Sequence, residues 1–277
     1  VKTIAGKTAV LTGASGGIGV FIARALAKEQ ATVVAISRSQ EGLEQICAEI
    51  EDEGGKAISI PFDIRQLEEL PSLVQKIKQL AGPIDILINN AAIEKFRPFQ
   101  NYTLEDIQSI STTNLLAPIE LARLVLPTML ERNSGHIVNI SSTAGKKGAT
   151  YNSIYSASKA GLIMWSDAIQ QELANTNVGV SIICPGVTDA GMFHALGITA
   201  PSVARLAHPT EVANAVLQSI QQNQKEVILD GLTSKIFFAI SQLSPQLGDA
   251  IIRRAGLVEL NRSCAENQMQ VRNLVKK

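Results

Sequence analysis

Tyr155 and Lys159 stand four residues apart in the run YSASK, and neither Tyr102 nor Tyr151 has a lysine at that spacing. Positions i and i+4 share one face of a helix, so the phenol and the ammonium project together. A free phenol titrates near ~10, and a nearby cation favours the phenolate and lowers that value. Such a tyrosine is a usable acid or base near neutral pH. Hydride transfer to a carbonyl requires one, because the new alkoxide must be protonated. Taken alone, the pair is more often a surface contact.

Upstream, Asn139-Ile140-Ser141-Ser142 closes an apolar run. A hydroxyl at the carboxyl edge of a strand can orient a carbonyl oxygen and stabilise charge on it; Ser141 is given little of that work. Asn114 lies in a helical stretch with Pro118 four residues on. Proline has no N–H, so the Asn114 carbonyl loses its i+4 donor. A kink follows, with a carbonyl free to hold a water that links Lys159 to solvent; a kink without function is the simpler alternative.

A second group of residues suits a nucleotide. Thr12-Gly13-Ala14-Ser15-Gly16-Gly17-Ile18-Gly19 lies between an apolar run and a helical pattern. Glycines there let backbone N–H groups approach a pyrophosphate, and the helix N-terminus favours its charge. The next apolar run ends Ile36-Ser37-Arg38-Ser39, with no acid at the tip. An acid would suit the ribose 2′-hydroxyl of NAD, whereas Arg38, helped by Ser37 or Ser39, suits the 2′-phosphate of NADP. Asp63 and Asn90 follow two further runs, as ligand contacts or as caps of local turns.

The elements that must carry these residues alternate. Strands are expected at Thr8–Leu11, Thr32–Ser37, Ala57–Pro61, Ile84–Asn89, Gly135–Ser141, Gly179–Cys184 and Glu226–Asp230. Helices are expected at Gly17–Glu29, Glu41–Glu53, Gln66–Leu80, Thr103 to about Arg132, Tyr151–Ala174 and Pro209–Gln222. Strand–helix alternation with almost wholly apolar strands means a parallel sheet covered on both faces. The fold class is therefore α/β: a single doubly wound domain with a mostly parallel sheet of about seven strands.

Together these pieces resemble the classical short-chain dehydrogenases/reductases over roughly residues 5–231. The resemblance rests on TGASGGIG at 12–19, FDI at 62–64, NNAA at 89–92, Asn114, HIVNISS at 136–142, YSASK at 155–159 and PGVTDAG at 185–191. It implies a Rossmann-like fold and hydride exchange between NADP(H) and a carbonyl or secondary alcohol. It also implies catalysis by Ser142, Tyr155 and Lys159, with Asn114 as a fourth member; the serine-to-tyrosine spacing selects Ser142. By the same resemblance Gly13, Ser15, Gly17, Ile18 and Gly19 line the pyrophosphate and ribose, and Ser37 and Arg38 mark an NADP-preferring member. Asp63 and Ile64 border adenine, Asn90 its ribose, and Pro185 and Gly186 the nicotinamide, whose ribose Lys159 holds beside Tyr155. Three positions depart from the family: Ala92 and Ala117 replace glycines, and Ala190 stands where a threonine usually holds the carboxamide. Thr188 is the expected substitute.

Simple members end soon after EVILDG; this chain continues through 232–277 as an expected helical extension of the same domain. Ile236, Phe237, Ile240 and Leu243 fall on one helical stripe, and Leu247, Ile251 and Ile252 begin another after Pro245. Two short helices over 235–258, broken near Ser244-Pro245, are expected to be buried against the body, a partner subunit, a lipid-like substrate as a lid over loop 187–207, or a membrane surface. Packing or a subunit contact is favoured.

Composition narrows the remaining classes. Lys plus Arg and Asp plus Glu number 25 each, so no basic surplus points to nucleic acid. Cys47, Cys184 and Cys264 are far apart, which fits a reducing compartment. His136, His194 and His208 have no metal-site spacing, and no metal is expected. No signal peptide and no membrane span are apparent, so a cytoplasmic homo-oligomer, dimer or tetramer, acting on a small molecule is expected. The principal alternative is a 3-oxoacyl-carrier-protein reductase, with Lys146-Lys147 as a patch for the acidic carrier; a non-catalytic NADPH sensor ranks lower because Ser142, Tyr155 and Lys159 are all present.

Overall fold

A computed structural model describes residues 3–195 and 205–275, the side chains of 195 and 270–275 excepted. Its centre is a seven-stranded sheet: β1 (Thr8–Thr12), β2 (Thr32–Ser37), β3 (Lys56–Pro61), β4 (Ile86–Asn89), β5 (Gly135–Ile140), β6 (Val178–Cys184) and β7 (Glu226–Ile228). The spatial order is β3-β2-β1-β4-β5-β6-β7. Every pairing is parallel, for example Val10 beside Val34 and Leu87 beside Ile137.

Parallel neighbours need crossovers, and helices supply them on both faces. On one face lie α1 (Ile18–Lys28), α2 (Gln40–Asp52) and α8 (Pro209–Gln222); on the other lie α3 (Leu70–Ala81), α5 (Ala117–Glu131) and α6 (Ser153–Glu172). Side chains alternate across a strand, so each apolar strand feeds both layers. Ala9, Leu11, Val33 and Ile86 pack on the first face, and Val10, Val34, Leu87 and Ile137 on the second.

The expected helix from Thr103 to about Arg132 is two helices. Thr103 caps α4 (Leu104–Ser111) in a reciprocal capping box with Asp106. A π-helical turn over Thr112–Leu116 then joins it to α5. There the N–H of Ala117 reaches back to the carbonyl of Thr112, one residue farther than in an α-helix. Pro118, without an N–H, follows at once, so the kink expected at Asn114 is this wider turn. The helix expected from Tyr151 begins at Ser153, because Tyr151 has φ +59°. After a short α7 (Met192–Ala195), residues 196–204 of the expected substrate loop lie outside the described residues.

The C-terminal segment folds as α9 (Gly231–Leu243) and α10 (Pro245–Arg254), at the place of the two helices expected over 235–258, followed by α11 (Leu257–Val275). The break falls at Ser244-Pro245, as the sequence suggests, but the apolar stripe divides. Phe237, Phe238 and Ile252 line a cleft at the carboxyl edge of the sheet. Leu232, Ile236, Leu243, Leu247 and Ile251 face outward, Leu243 with 89% of its surface exposed. The single chain therefore does not bury the whole stripe. No helix among the described residues is long and apolar enough to cross a membrane.

His136, on the interior strand β5, is wholly buried. Its Nε2 lies 2.8 Å from Ser181 Oγ, which itself donates to the carbonyl of Gln224. Its Nδ1 has no partner. Burial pushes this imidazole down to about 3. An unfolded histidine takes up a proton near 6.5, so between those values the unfolded chain binds a proton that the folded one refuses. Stability is full above pH 6.5 and is expected to fall below it with a slope approaching ~1.4 kcal/mol per pH unit. Urea melts between pH 7 and 4.5 check this against His136→Gln. The variant should show a flatter profile, and an unchanged slope would remove His136 from the account.

Candidate active site

The cleft has a volume of about 1220 Å³ and runs along the carboxyl ends of the strands. Beside it the chain reverses direction, from β1 outward to β3 and then back to β4 and onward. Neighbouring loops there diverge and leave a crevice.

One end is built by the glycine turn after β1. Gly13 donates to the carbonyl of Ile36 at 2.7 Å, and Gly13 and Gly17 adopt φ +69° and +53°. The turn is pressed against the β4 loop: a Cβ on Gly13 would lie 2.9 Å from the Cα of Ala91, and one on Gly19 would overlap the Gly13 carbonyl. Thr12 Oγ1 accepts from the N–H groups of Asn90 and Ala91, both at 3.1 Å. Asn90 has a structural duty alongside the expected ribose contact. Its Nδ2 donates to the carbonyls of Thr12 and Gly13, at 3.0 and 3.1 Å. Gly13, Ser15, Gly17, Ile18 and Asn90 all line the cleft, whereas Gly19 is the buried packing position behind it.

Ser37, Arg38, Asp63 and Ile64 line the cleft beyond this turn. Arg38 is exposed at the tip of β2. Asp63 serves both readings of the sequence. It lines the cleft, and its Oδ1 also accepts from the Arg65 N–H at 3.0 Å while Arg65 Nη2 binds its Oδ2 at 2.5 Å. These bonds hold its carboxyl below the usual range, with Arg38 adding a smaller attraction. Arg65, which also lines the cleft, is a second cation at this end that sequence reading passed over.

At the other end Ser142, Tyr155 and Lys159 converge. Lys159 is 2% exposed, and its ammonium donates to the carbonyl of Ile140 at 2.7 Å. It lies 5.7 Å from the centre of the Tyr155 ring. Ser141 Oγ donates to the Lys159 carbonyl at 3.0 Å, so Ser141 fastens β5 to α6. The expectation that Lys159 lowers the Tyr155 phenol is corrected by the fold. Burial raises that phenol well above its ordinary value and the charge of Glu94 adds to this, while the neighbouring Ser142 hydroxyl opposes them. Burial also lowers Lys159, to about 8, against the attraction of Glu94. The phenol therefore holds its proton at neutral pH, as a donor must.

Asn114 acts here through its side chain. Oδ1 accepts from the Ile93 N–H and Nδ2 donates to the Ile93 carbonyl, both at 2.9 Å; Nδ2 also donates to Ser158 Oγ at 3.1 Å. It ties the segment after β4 to α6, one residue away from Lys159. Pro185, Gly186, Thr188 and Ala190 line the cleft opposite. Thr188 Oγ1 reaches its own loop, at the Gly186 carbonyl 3.4 Å away. The carboxyl of Asp230 packs on Gly186, its Oδ1 without a partner among the described residues, a neighbour sequence reading did not single out.

Glu94 and Asn152 were also missed. Glu94 belongs to a loop with no periodic pattern, and only the fold brings it beside Asn152, 58 residues away. Burial raises Glu94 to about 7, against the hydrogen bond from Asn152 and the charge of Lys159.

The site fits a dinucleotide. At Gly13 and Gly19 there is no room for a side chain, so backbone approaches backbone, and the cleft then leads from Arg38 to Tyr155. A family model described as short chain dehydrogenase matches residues 7–200. The chain is 54% identical over 277 residues to a protein named ketoacyl reductase HetN from Nostoc sp. (strain PCC 7120 / SAG 25.82 / UTEX 2576), covering 98% of this chain and 96% of that protein. Among solved structures, a metagenomic short-chain oxidoreductase in complex with NADP has a TM-score of 0.71 at 32% identity, covering 81% of this chain and 96% of that one. An actinorhodin polyketide ketoreductase variant with NADPH has a TM-score of 0.75 at 32% identity, covering 82% of this chain and 97% of that one.

Gly19→Ala tests the cradle. The added methyl meets the Gly13 backbone, which cannot step aside as a side chain can. NADPH affinity, followed by fluorescence titration, is expected to fall at least tenfold. The neighbouring Gly16→Ala, where a Cβ meets nothing within 4 Å, should bind nearly as the unaltered protein does. Equal affinities for both variants would contradict the packing argument.

Proposed function

This chain belongs to the short-chain dehydrogenase family, and from that premise we propose that it is an NADP(H)-dependent oxidoreductase that interconverts a carbonyl and a secondary alcohol. The observation that carries the reading is the meeting of Ser142, Tyr155 and Lys159 at one end of a cleft whose other end is the glycine turn. NADPH, when bound, supplies the hydride. Ser142 orients the substrate oxygen, and Tyr155 gives it a proton. Lys159, anchored on Ile140, holds the nicotinamide ribose and the local positive charge, and Asn114 positions α6 through Ser158. Gly13, Ser15, Gly17, Ile18 and Gly19 shape the pyrophosphate site. Asp63, Ile64 and Asn90 border the adenosine, and Pro185, Gly186 and Thr188 the nicotinamide. Arg38, with Ser37, receives the 2′-phosphate, since an exposed cation at the tip of β2 suits a dianion and not a hydroxyl.

In this reading residues 1–231 carry cofactor and chemistry, and 232–277 close the substrate end of the same domain. Three contacts support closure. Lys147 Nζ pairs with Asp249 of α10 at 2.8 Å, Arg262 of α11 donates to the Tyr151 hydroxyl at 3.1 Å, and Phe96 N donates to Gln268 at 2.8 Å. The outward apolar face of α9 and α10 suits a homo-oligomer, dimer or tetramer.

A second reading, reduction of a 3-oxoacyl substrate, is favoured by the relative named ketoacyl reductase, whose likeness runs through the C-terminal helices. Against a carrier protein docking on Lys146 and Lys147, both lysines are already paired, with Glu226 and Asp249. A screen of NADPH oxidation over ketones, aldehydes and 3-oxoacyl thioesters separates the two readings.

Two substitutions test the assignment. Arg38→Asp is expected to reverse a preference for NADPH over NADH, measured as the ratio of kcat/KM; equal use of both cofactors by the unaltered protein would remove Arg38 from the argument. Tyr155→Phe is expected to lower turnover by about 10²–10⁴-fold, the usual worth of a general acid, with NADPH affinity retained. Full turnover in that variant would sink the role of Tyr155.

A further inference from the structure

The substrate end of the cleft is walled mostly by apolar side chains: Phe96, Phe193, Phe237, Phe238, Ile252 and Leu260. Glu94 interrupts this wall. Among the described residues three carboxylates line the cleft, and the other two lie elsewhere: Asp63 is bound to Arg65, and Asp230 packs on Gly186. Glu94 stands beside Asn152, whose position three residues before Tyr155 puts it on the same face of the chain entering α6.

The polar capacity here exceeds what the protein uses. Glu94 Oε1 accepts from Asn152 Nδ2, and no protein group bonds to Oε2 among the described residues. Asn152 is 1% exposed, and its Oδ1 is also without a partner. Lys159, whose charge acts on Glu94, spends its hydrogen bond on Ile140 instead. Tyr155, Tyr102 and Cys264 also feel the Glu94 charge, and the neighbouring Lys95 and Arg97 are both paired with Asp106. Glu94 is half-buried, so its free oxygen opens to the cleft, and a ligand that displaces water from it must replace the lost hydrogen bond. A few placed polar groups in an apolar pocket are also what fixes a ligand's orientation.

We infer that Glu94 is a specificity residue: its free oxygen receives a hydroxyl or amide N–H of an otherwise apolar carbonyl substrate, and in its ionised form it turns away substrates with a carboxylate beside the carbonyl. This rests on the hydride-transfer reading and names the substrate class that the same site selects. Discrimination has two parts, a bond made to the donor and a repulsion built against the acid.

Three probes with one carbon skeleton test it on the full chain: 1-hydroxyoctan-2-one, 2-octanone and 2-oxooctanoate. Above pH 8, where Glu94 is ionised, the unaltered protein is expected to favour the hydroxyketone over the plain ketone by about tenfold or more in kcat/KM, the scale of one hydrogen bond to a charged group, and to reduce the oxo acid poorly. Glu94→Leu should erase that preference by raising KM for the hydroxyketone relative to KM for 2-octanone. Glu94→Gln should keep part of the preference and raise activity on 2-oxooctanoate about tenfold. Calorimetric titration with octane-1,2-diol gives a readout without turnover, and Glu94→Leu should weaken the diol at least fivefold. Equal losses on all three probes, or diol binding indifferent to Glu94→Leu, overturns the role of Glu94. Should the unaltered protein bind NADPH yet reduce neither these probes nor any of the ketones, aldehydes and 3-oxoacyl thioesters of the screen, the hydride-transfer reading fails, and the diol titration still decides Glu94.

Discussion

The site depends on a charge taken out of water. Lys159 is the largest of the fully buried side chains, and a buried ammonium must be paired or hydrogen-bonded to remain charged. The carbonyl at the end of β5 supplies that bond, and Ser141 returns a second one to the Lys159 backbone. These two contacts fix α6 to the edge of the sheet. Tyr155, one turn earlier on the same helix, is thereby brought to Ser142 just beyond the strand. The constraint also explains the crowding at Gly145, where a Cβ would lie 2.8 Å from the Lys159 backbone. The short turn after Ser142 runs directly over the helix, and nothing larger than hydrogen fits between them.

A second constraint acts at the nucleotide end. The turn after β1 and the loop after β4 are pressed together, and the polar groups of Thr12 and Asn90 are spent on holding them so. A turn braced in this way presents its backbone N–H groups with little conformational freedom left to lose on binding. The loop after β6 also approaches: a Cβ on Gly191 would lie 2.8 Å from the Cα of Gly17. Both ends of the cleft are therefore shaped by backbone meeting backbone.

The C-terminal helices answer two environments. Phe237, Phe238 and Ile252 make one wall of the cleft, while Leu232, Ile236 and Leu243 form an outward row that stays in solvent in the isolated chain. A helix apolar on two sides cannot satisfy both within one small domain. Ion pairs and hydrogen bonds from α10 and α11 to the loops beside Tyr151 hold the inner side in place, so the cleft wall does not rely on apolar contact alone.

Much of this was legible from local pattern. Strand–helix alternation, the glycine turn and the i, i+4 tyrosine and lysine depend on neighbours in the chain, and they marked the parallel sheet and both ends of the cleft. Even the irregularity at Asn114 was announced by Pro118, though its form as a π turn was not. What the sequence could not determine is set by burial and by partners far along the chain. The phenol of Tyr155 is raised because burial strips it of water and Glu94 adds a like charge, and neither has a local signature. Asn90 carries a bracing role visible only once β1 and β4 are adjacent, and Lys146 and Lys147 find acids 80 and 102 residues away. Glu94 sits in a segment without periodicity and meets Asn152 only through the fold. Periodicity and turn chemistry are written in consecutive residues; solvation and charge are properties of the space that those residues enclose.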